Sequence, residues 1–138
     1  MIGSNRALLD TNAVVALEMR VPAFREVVAR FDDHAVSVVT LGELYDGAYR
    51  SHRREANLKR LRWLLRNIPV LDVTPETASV YGRIRSELRA AGTPIPENDI
   101  WIAASAIKHG VTLVSRDGHF EKVGGLEFVS WLAGDRPC

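Results

Sequence analysis

The chain is poor in several things that would have narrowed its role at once. It has one cysteine, Cys138, so no intramolecular disulfide can form, and a reducing, cytoplasmic setting is expected with Cys138 an idle thiol. Its longest apolar run, Ile100 to Ile107, falls far short of the roughly 18 residues a membrane-spanning helix needs, so no membrane partner is expected. No signal-peptide core or small-residue cleavage site separates Met1-Ile-Gly-Ser-Asn-Arg6 from the apolar stretch that follows, so export is not expected either. The formal charge is only +1, which gives no global sign of a nucleic-acid binder. No repeat, low-complexity tract or polar run long enough for disorder is visible.

The rest of the composition is that of an ordinary folded protein. Hydrophobic residues at 46% and charged residues at 25% of 138 are enough to close a core, which predicts one domain over residues 1–138. Charge is concentrated locally instead. Between Arg50 and Arg66, seven Arg and Lys residues face Glu55 alone, a local charge of +6.

Strands and helices alternate. Arg6 to Asp10 reads as a strand ending in an acid, followed by a helix over Val14 to Arg20. Pro22 opens a second helix, with Phe24, Val27, Val28 and Phe31 at helical spacing, ending near Asp32 to His34. Ala35 to Val39 is a β-branched strand, and Thr40 opens a helix through Tyr45. The basic segment continues as a helix with Leu58, Leu61, Leu64 and Leu65 inward. A strand is predicted over Ile68 to Val73, then a helix from Pro75 that buries Ala78, Tyr81, Ile84, Leu88 and Ala91. The breaker-rich Gly92 to Pro96 precedes an Ala-rich helix that Gly110 ends. Val111 to Ser115 and Leu126 to Trp131 are the last strands, with one helical turn over His119 to Val123 between them. Such alternation predicts a mainly parallel sheet covered on both faces, an α/β/α three-layer sandwich.

Four acids stand out by position. Asp10 and Asp117 end strands, while Glu43 and Asp99 sit in the first turns of helices. Each has a plain local explanation: Asp10 or Asn12 as a helix cap, Thr40 to Glu43 as a capping box, Asn98 or Asp99 as a cap, Asp117-Gly118 as a turn. Their joint placement points further, because open parallel sheets bind ligands outside the carboxyl ends of their strands. Carboxylates gathered there repel one another, and only Arg116 neighbours them in sequence, so a cation is the natural neutraliser. Oxygen ligands favour a hard ion such as Mg²⁺, or Mn²⁺. His34, His52, His109 and His119 show no metal-ligand spacing and read as exposed or capping residues. Carboxylate-held Mg²⁺ suits phosphodiester hydrolysis.

These residues resemble a known family. Leu8-Leu-Asp10-Thr-Asn12, Leu41-Gly-Glu43-Leu44, Asn98-Asp99-Ile-Trp-Ile-Ala-Ala104 and Thr112-Leu-Val-Ser-Arg-Asp117 resemble, in order, the four acidic motifs of PIN-domain VapC toxins. The resemblance runs from Leu8 to Trp131. It implies an Mg²⁺-dependent endoribonuclease in which Asp10, Glu43, Asp99 and Asp117 bind metal and catalyse, supported by Asn12, Asn98 and Ser115. Ser115 stands where the family often has Thr, which keeps the hydroxyl. A carboxylate would accept a proton from the attacking water, and which one is left open. The resemblance also implies a VapB-type antitoxin that inserts an Arg among the acids, and a homodimer. Arg116 and the Arg50 to Arg66 helix, Arg53 and Arg54 included, would then bind the RNA backbone, the other reading of that helix being a solvated face. Trp63, Trp101 and Trp131 read as packing residues rather than base-stacking platforms.

Other readings compete. A phosphatase is disfavoured because Asp10-Thr-Asn12 lacks a second Asp, and a receiver domain because Asp10 has no adjacent acid. A DNA flap nuclease would need further modules that this length does not hold. A catalytically silent PIN-like interaction module, its acids serving only as caps or partner contacts, is the alternative from a different class.

Overall fold

The computed structural model of the chain describes residues 5–132, and Cys138 lies outside them. Five strands are present: β1 (Arg6–Leu9), β2 (Asp33–Ser37), β3 (Val70–Leu71), β4 (Thr112–Val114) and β5 (Phe128–Val129). Between them run α1 (Thr11–Glu18), α2 (Pro22–Val28), α3 (Val38–Arg50), α4 (Arg54–Asn67), α5 (Pro75–Ala91), α6 (Glu97–His109) and a 3₁₀ turn over Gly118–Lys122. The strands pair in the order β3-β2-β1-β4-β5, every pair parallel. Helical connections enforce this, because a parallel neighbour is reached only by a crossover. The chain steps outward from β1 to β3, then returns to the other side of β1, so its direction reverses between β1 and β4.

Side-chain alternation along the strands divides the core in two. Ala7, Leu9, Val36 and Val114 face one way, toward α1, α2 and α4. Leu8, Ala35 and Leu113 face the other, toward α5 and α6. The three-layer α/β/α arrangement expected from the sequence is therefore the one observed. α3 packs against α1, α4 and α6 and leads away from the carboxyl end of β2.

Several boundaries depart from the sequence reading, each for a local reason. The second strand begins and ends two residues early, because the Ser37 hydroxyl accepts from Val39 N–H at 2.9 Å and starts α3 there. Thr40 is therefore inside the helix and caps nothing, the Thr40–Glu43 capping box does not form, and Glu43 lies in the second turn. Asp10, and not Asn12, caps α1, its Oδ1 accepting from Ala13 N–H at 2.9 Å. α1 runs over residues 11–18, earlier than expected, and α2 stops at Val28 rather than near Asp32. Pro96, with no side-chain cap bond, precedes α6, so neither Asn98 nor Asp99 is its cap. The strand expected over Ile68 to Val73 pairs only at Val70 and Leu71, and the last strand only at Phe128 and Val129. On α5 the capping box is Thr74 with Thr77, and Thr77 is buried where Ala78 and Ala91 were expected inward and are exposed. Gly92 and Gly110, at φ 69° and 66°, end their helices in the left-handed conformation that glycine adopts without strain.

Two substitutions separate the observed cap from the expected one. Ser37→Ala should destabilise the protein by about 1 kcal/mol through loss of the cap bond. The Thr40 hydroxyl is buried without a partner, so Thr40→Val should be neutral or stabilising. Urea unfolding of both variants checks the pair of signs.

Candidate active site

The register of the sheet builds the centre of the site. Leu9 pairs with Val114, so the next residues, Asp10 and Ser115, emerge side by side at the carboxyl edge. The Ser115 hydroxyl donates to Asp10 Oδ2 at 2.5 Å, and Asp117 N–H donates to the Ser115 oxygen at 3.0 Å. Asp10 is thus fixed at both oxygens, by Ala13 N–H and by Ser115, and is only 4% exposed. Thr11 and Asn12, the first residues of α1, reach across the edge. Thr11 Oγ1 donates to Glu43 Oε1 at 2.6 Å, and the Asn12 amide donates to Asp117 Oδ2 at 3.3 Å. From the other side, the Asn98 amide donates to Glu43 Oε2 at 3.3 Å. His119 Nε2 lies 2.7 Å from Asp99 Oδ2.

All four predicted acids therefore line one open cleft of about 540 Å³, together with Thr11, Asn12, Glu97 and Asn98. No Lys or Arg lines it among the described residues. Ligand atoms of Asp99, Asp117 and His119 lie within 4.8 Å of one another, while Asp10 and Glu43 stand outside that tighter group.

The electrostatics follow from burial and like charge. The Asp10 carboxyl is raised to about 6, chiefly by burial, opposed by its bonds from Ser115 and Ala13 and reinforced by Asp117 and Asp99. Asp99 is also raised, again chiefly by burial, with His119 opposing and Glu43 and Asp117 adding to the shift. An oxygen-rich donor set that burial and repulsion resist ionising, with no basic side chain lining it, is suited to a divalent cation. Asp99, Asp117 and His119 are the side chains close enough to share one, and Asp10 and Glu43 line the same cleft beside them.

The other predicted residues separate. Arg116 is exposed beside Asp117 and does not line the cleft. Arg53 and Arg54 lie on a distinct surface at the α3–α4 junction, where Arg54 Nε donates to the Tyr49 carbonyl at 3.0 Å. Trp101 stacks on Tyr81 with ring centroids 4.0 Å apart, and Trp131 packs edge-on against Phe24 at 5.1 Å. Trp63 is 57% exposed, so the packing expected for it is not observed. Thr11 and His119 were missed as site residues. Thr11 was legible as the residue after a strand-ending acid. His119 lacked a spacing motif, and its half-buried ion-pair contact with Asp99 corrects the exposed or capping reading.

Comparison with known proteins agrees with this geometry. A profile of the PIN domain matches residues 7–126. The chain belongs to the PIN-domain ribonuclease family, in its VapC branch. It is 38% identical over 130 residues to ribonuclease VapC2 of Haemophilus influenzae, covering 91% of this chain and 97% of that one. It is 36% identical over 129 residues to the tRNA(fMet)-specific endonuclease VapC of Shigella flexneri, covering 90% and 96%. Among solved structures, VapBC2 from Rickettsia felis bound to a DNA fragment from its promoter superposes with TM-score 0.81 at 29% identity, covering 91% and 98%. DNA-bound VapBC from Salmonella typhimurium gives 0.82 at 30%, with the same coverage. No described helix of this VapC-type chain is long and apolar enough to cross a membrane.

The raised Asp10 pKa has a stability consequence with a definite sign. Between the ordinary carboxylate range and about 6 the folded state holds a proton that the unfolded state has released. The contribution of this group to the stability of the metal-free protein should therefore fall as pH rises from about 4 to about 6, by up to about 3 kcal/mol. Asp10→Asn keeps the cap oxygen and removes the charge, so in chelator at pH 7 it should melt higher than wild type and lose most of this slope. Thermal melts across pH 4–7 measure both.

Proposed function

We propose that this chain, acting as a single PIN domain, is a Mg²⁺- or Mn²⁺-dependent endoribonuclease toxin with Asp10, Glu43, Asp99 and Asp117 as its metal-binding catalytic acids. One observation carries the reading: acids from four distant chain segments converge on a cleft that, among the described residues, no basic side chain lines, at the sheet edge where the strand order reverses. The relatives named as ribonucleases supply the substrate class, RNA, and the Shigella flexneri enzyme's name makes transfer RNA the first substrate to test.

A bound divalent cation would supply charge neutralisation at the phosphate and a more acidic water. The protein's own groups do the rest. Ser115 and Ala13 N–H hold Asp10 in one orientation, Thr11 and Asn98 hold Glu43, and Asn12 holds Asp117. Neutral donors fix the carboxylates without cancelling their charge, so the cleft keeps its attraction for a cation. Arg116, Arg53 and Arg54 lie outside the cleft, where they would meet the RNA backbone. A silent interaction module accounts for Asp10 as a cap, whereas Glu43, Asp99 and Asp117, which cap no helix by side chain, would have to serve it as contacts to a basic partner, and stabilisation by added Mg²⁺ separates the two readings.

VapB-type antitoxin binding is proposed on the VapBC complexes of the relatives and on a second surface of this chain. Val15, Met19, Trp63 and Leu64 line an apolar trough of about 770 Å³ between α1 and α4, with Met19 73% exposed. A smaller hollow shares Val15, Glu18 and Arg60 with the trough, and Thr11 and Glu43 with the acid cleft. An antitoxin segment with an apolar helix followed by an Arg fits that path: its apolar side fills the trough and its guanidinium reaches the carboxylates. Homodimerisation, implied by the family resemblance, is checked by light scattering.

With Mg²⁺, purified protein should cleave transfer RNA or total RNA, and Asp10→Asn or Asp99→Asn should lower the rate by about 10² or more. Full activity in either variant overturns the site. Trp63→Ala should weaken antitoxin binding by about 2 kcal/mol, as truncating a buried interface Trp does, while leaving RNA cleavage by the free toxin unchanged. Calorimetric titration and a gel-based cleavage assay read the two effects separately.

A further inference from the structure

Each of the four proposed metal-binding acids is held by a donor from another part of the chain. For Asp10 it is Ser115, for Glu43 Thr11 and Asn98, for Asp117 Asn12. For Asp99 it is His119, which has no place among the four motifs. We propose that His119 is a positioning residue that orients Asp99 for the cation, an inference that rests on the cleft being the metal site.

The contact favours this role over direct ligation. An ionised carboxylate only accepts, so with Asp99 ionised the 2.7 Å contact is a bond donated by Nε2–H to Asp99 Oδ2. A nitrogen that carries this proton has no lone pair for a metal. Asp99 lines the cleft and His119 does not, although a ring nitrogen of His119 lies within 4.8 Å of carboxylate oxygens of both Asp99 and Asp117. The position of His119 is fixed from two directions. The backbone of the 3₁₀ turn that follows Asp117 carries it, and its ring packs on Phe120 at 4.8 Å between centroids. Phe120 is fully buried among Leu8, Ile102 and Leu113. Asp99 comes from α6 and His119 from the segment after β4, so the bond also ties the two walls of the cleft together. A ligand whose orientation is set by such a partner loses metal affinity when the partner is removed, typically 10–100-fold.

Mn²⁺ serves as the probe, with full-length protein freed of metal by chelator. His119→Phe keeps the ring that packs on Phe120 and removes the donor, and His119→Gln returns an N–H donor. Mn²⁺ affinity, read by calorimetry and by the electron paramagnetic resonance signal of the free ion, should fall about 10–100-fold in His119→Phe and recover most of that loss in His119→Gln. Pulsed resonance of the wild-type complex should show no directly coordinated imidazole nitrogen. Chelator melts identify any variant that fails to fold. If His119→Phe does, His119→Leu, which likewise keeps an apolar contact with Phe120 and lacks the donor, takes its place in the same titration. A directly coordinated nitrogen lost in His119→Gln makes His119 a ligand and overturns the proposal. Unchanged Mn²⁺ affinity in a folded His119→Phe, with affinity abolished in Asp10→Asn, overturns the His119 role and leaves the cleft as the metal site. Mn²⁺ affinity unaltered by Asp10→Asn overturns both.

Discussion

Parallel pairing of β1 with β4 aligns Leu9 with Val114, so Asp10 and Ser115 leave the sheet as neighbours and bond at 2.5 Å. From that one contact the site extends in both directions. On the β1 side, Asp10 caps α1 and thereby aims Thr11 and Asn12 across the edge at Glu43 and Asp117. On the β4 side, Ser115 accepts from Asp117 N–H and starts the turn that delivers Asp117 and His119. The strand order reverses at this same junction, so no further strand crosses the edge to cover the acids. The capping role of Asp10 and its proposed chemical role therefore share one geometry: the oxygen that satisfies Ala13 N–H fixes where the other oxygen lies.

Such an arrangement opposes the stability of the metal-free fold. Asp10 is buried, and the neighbouring charges of Asp99 and Asp117 raise its pKa further. Hydrogen bonds from Ser115 and Ala13 N–H recover part of that penalty without removing the negative charge. A lysine in the cleft would stabilise the empty fold more and would also occupy the place of a cation. The use of hydroxyl and amide donors around the acids is the compromise between those demands, and sites that trade stability for function commonly show it.

Much of this was legible in the sequence because it depends on local chemistry. A strand-ending acid after an apolar run, Pro75 opening a helix, and Gly92 and Gly110 closing helices each have a mechanism that acts within a few residues. The layers followed from the alternation of elements, and the convergence of the acids from the rule for parallel sheets. What was missed depends on tertiary competition. Ser37 takes the cap from Thr40 because the β2 ladder ends there, joined to Leu71 of β3. Thr77, not Ala78, is inward because it lies seven and eleven residues before Ile84 and Leu88 on one helix face, its hydroxyl engaged in the Thr74 capping box. His119 was unreadable because its partner is 20 positions away on another helix. The basic run from Arg50 to Arg66 was plain as composition, yet its placement was not. Arg50 pairs with Asp46 and Arg60 with Glu18, and none of the run lines the acid cleft.

That separation of basic and acidic surfaces bears on how an RNA strand and an antitoxin would meet the same protein. A phosphate brought to the cleft would encounter carboxylates with no lysine or arginine among the described residues lining it to offset them, so its approach would depend on a cation being held there first. The same deficit attracts the guanidinium of a partner, which neutralises carboxylates through paired hydrogen bonds but offers no water to activate. Cation and antitoxin are thus alternative answers to one electrostatic problem. The apolar trough reached through Thr11 and Glu43 gives the partner a second contact that a small ion lacks. Inhibition on this reading needs no conformational change in the toxin, only that the tethered guanidinium be present at a higher effective concentration than the metal can match.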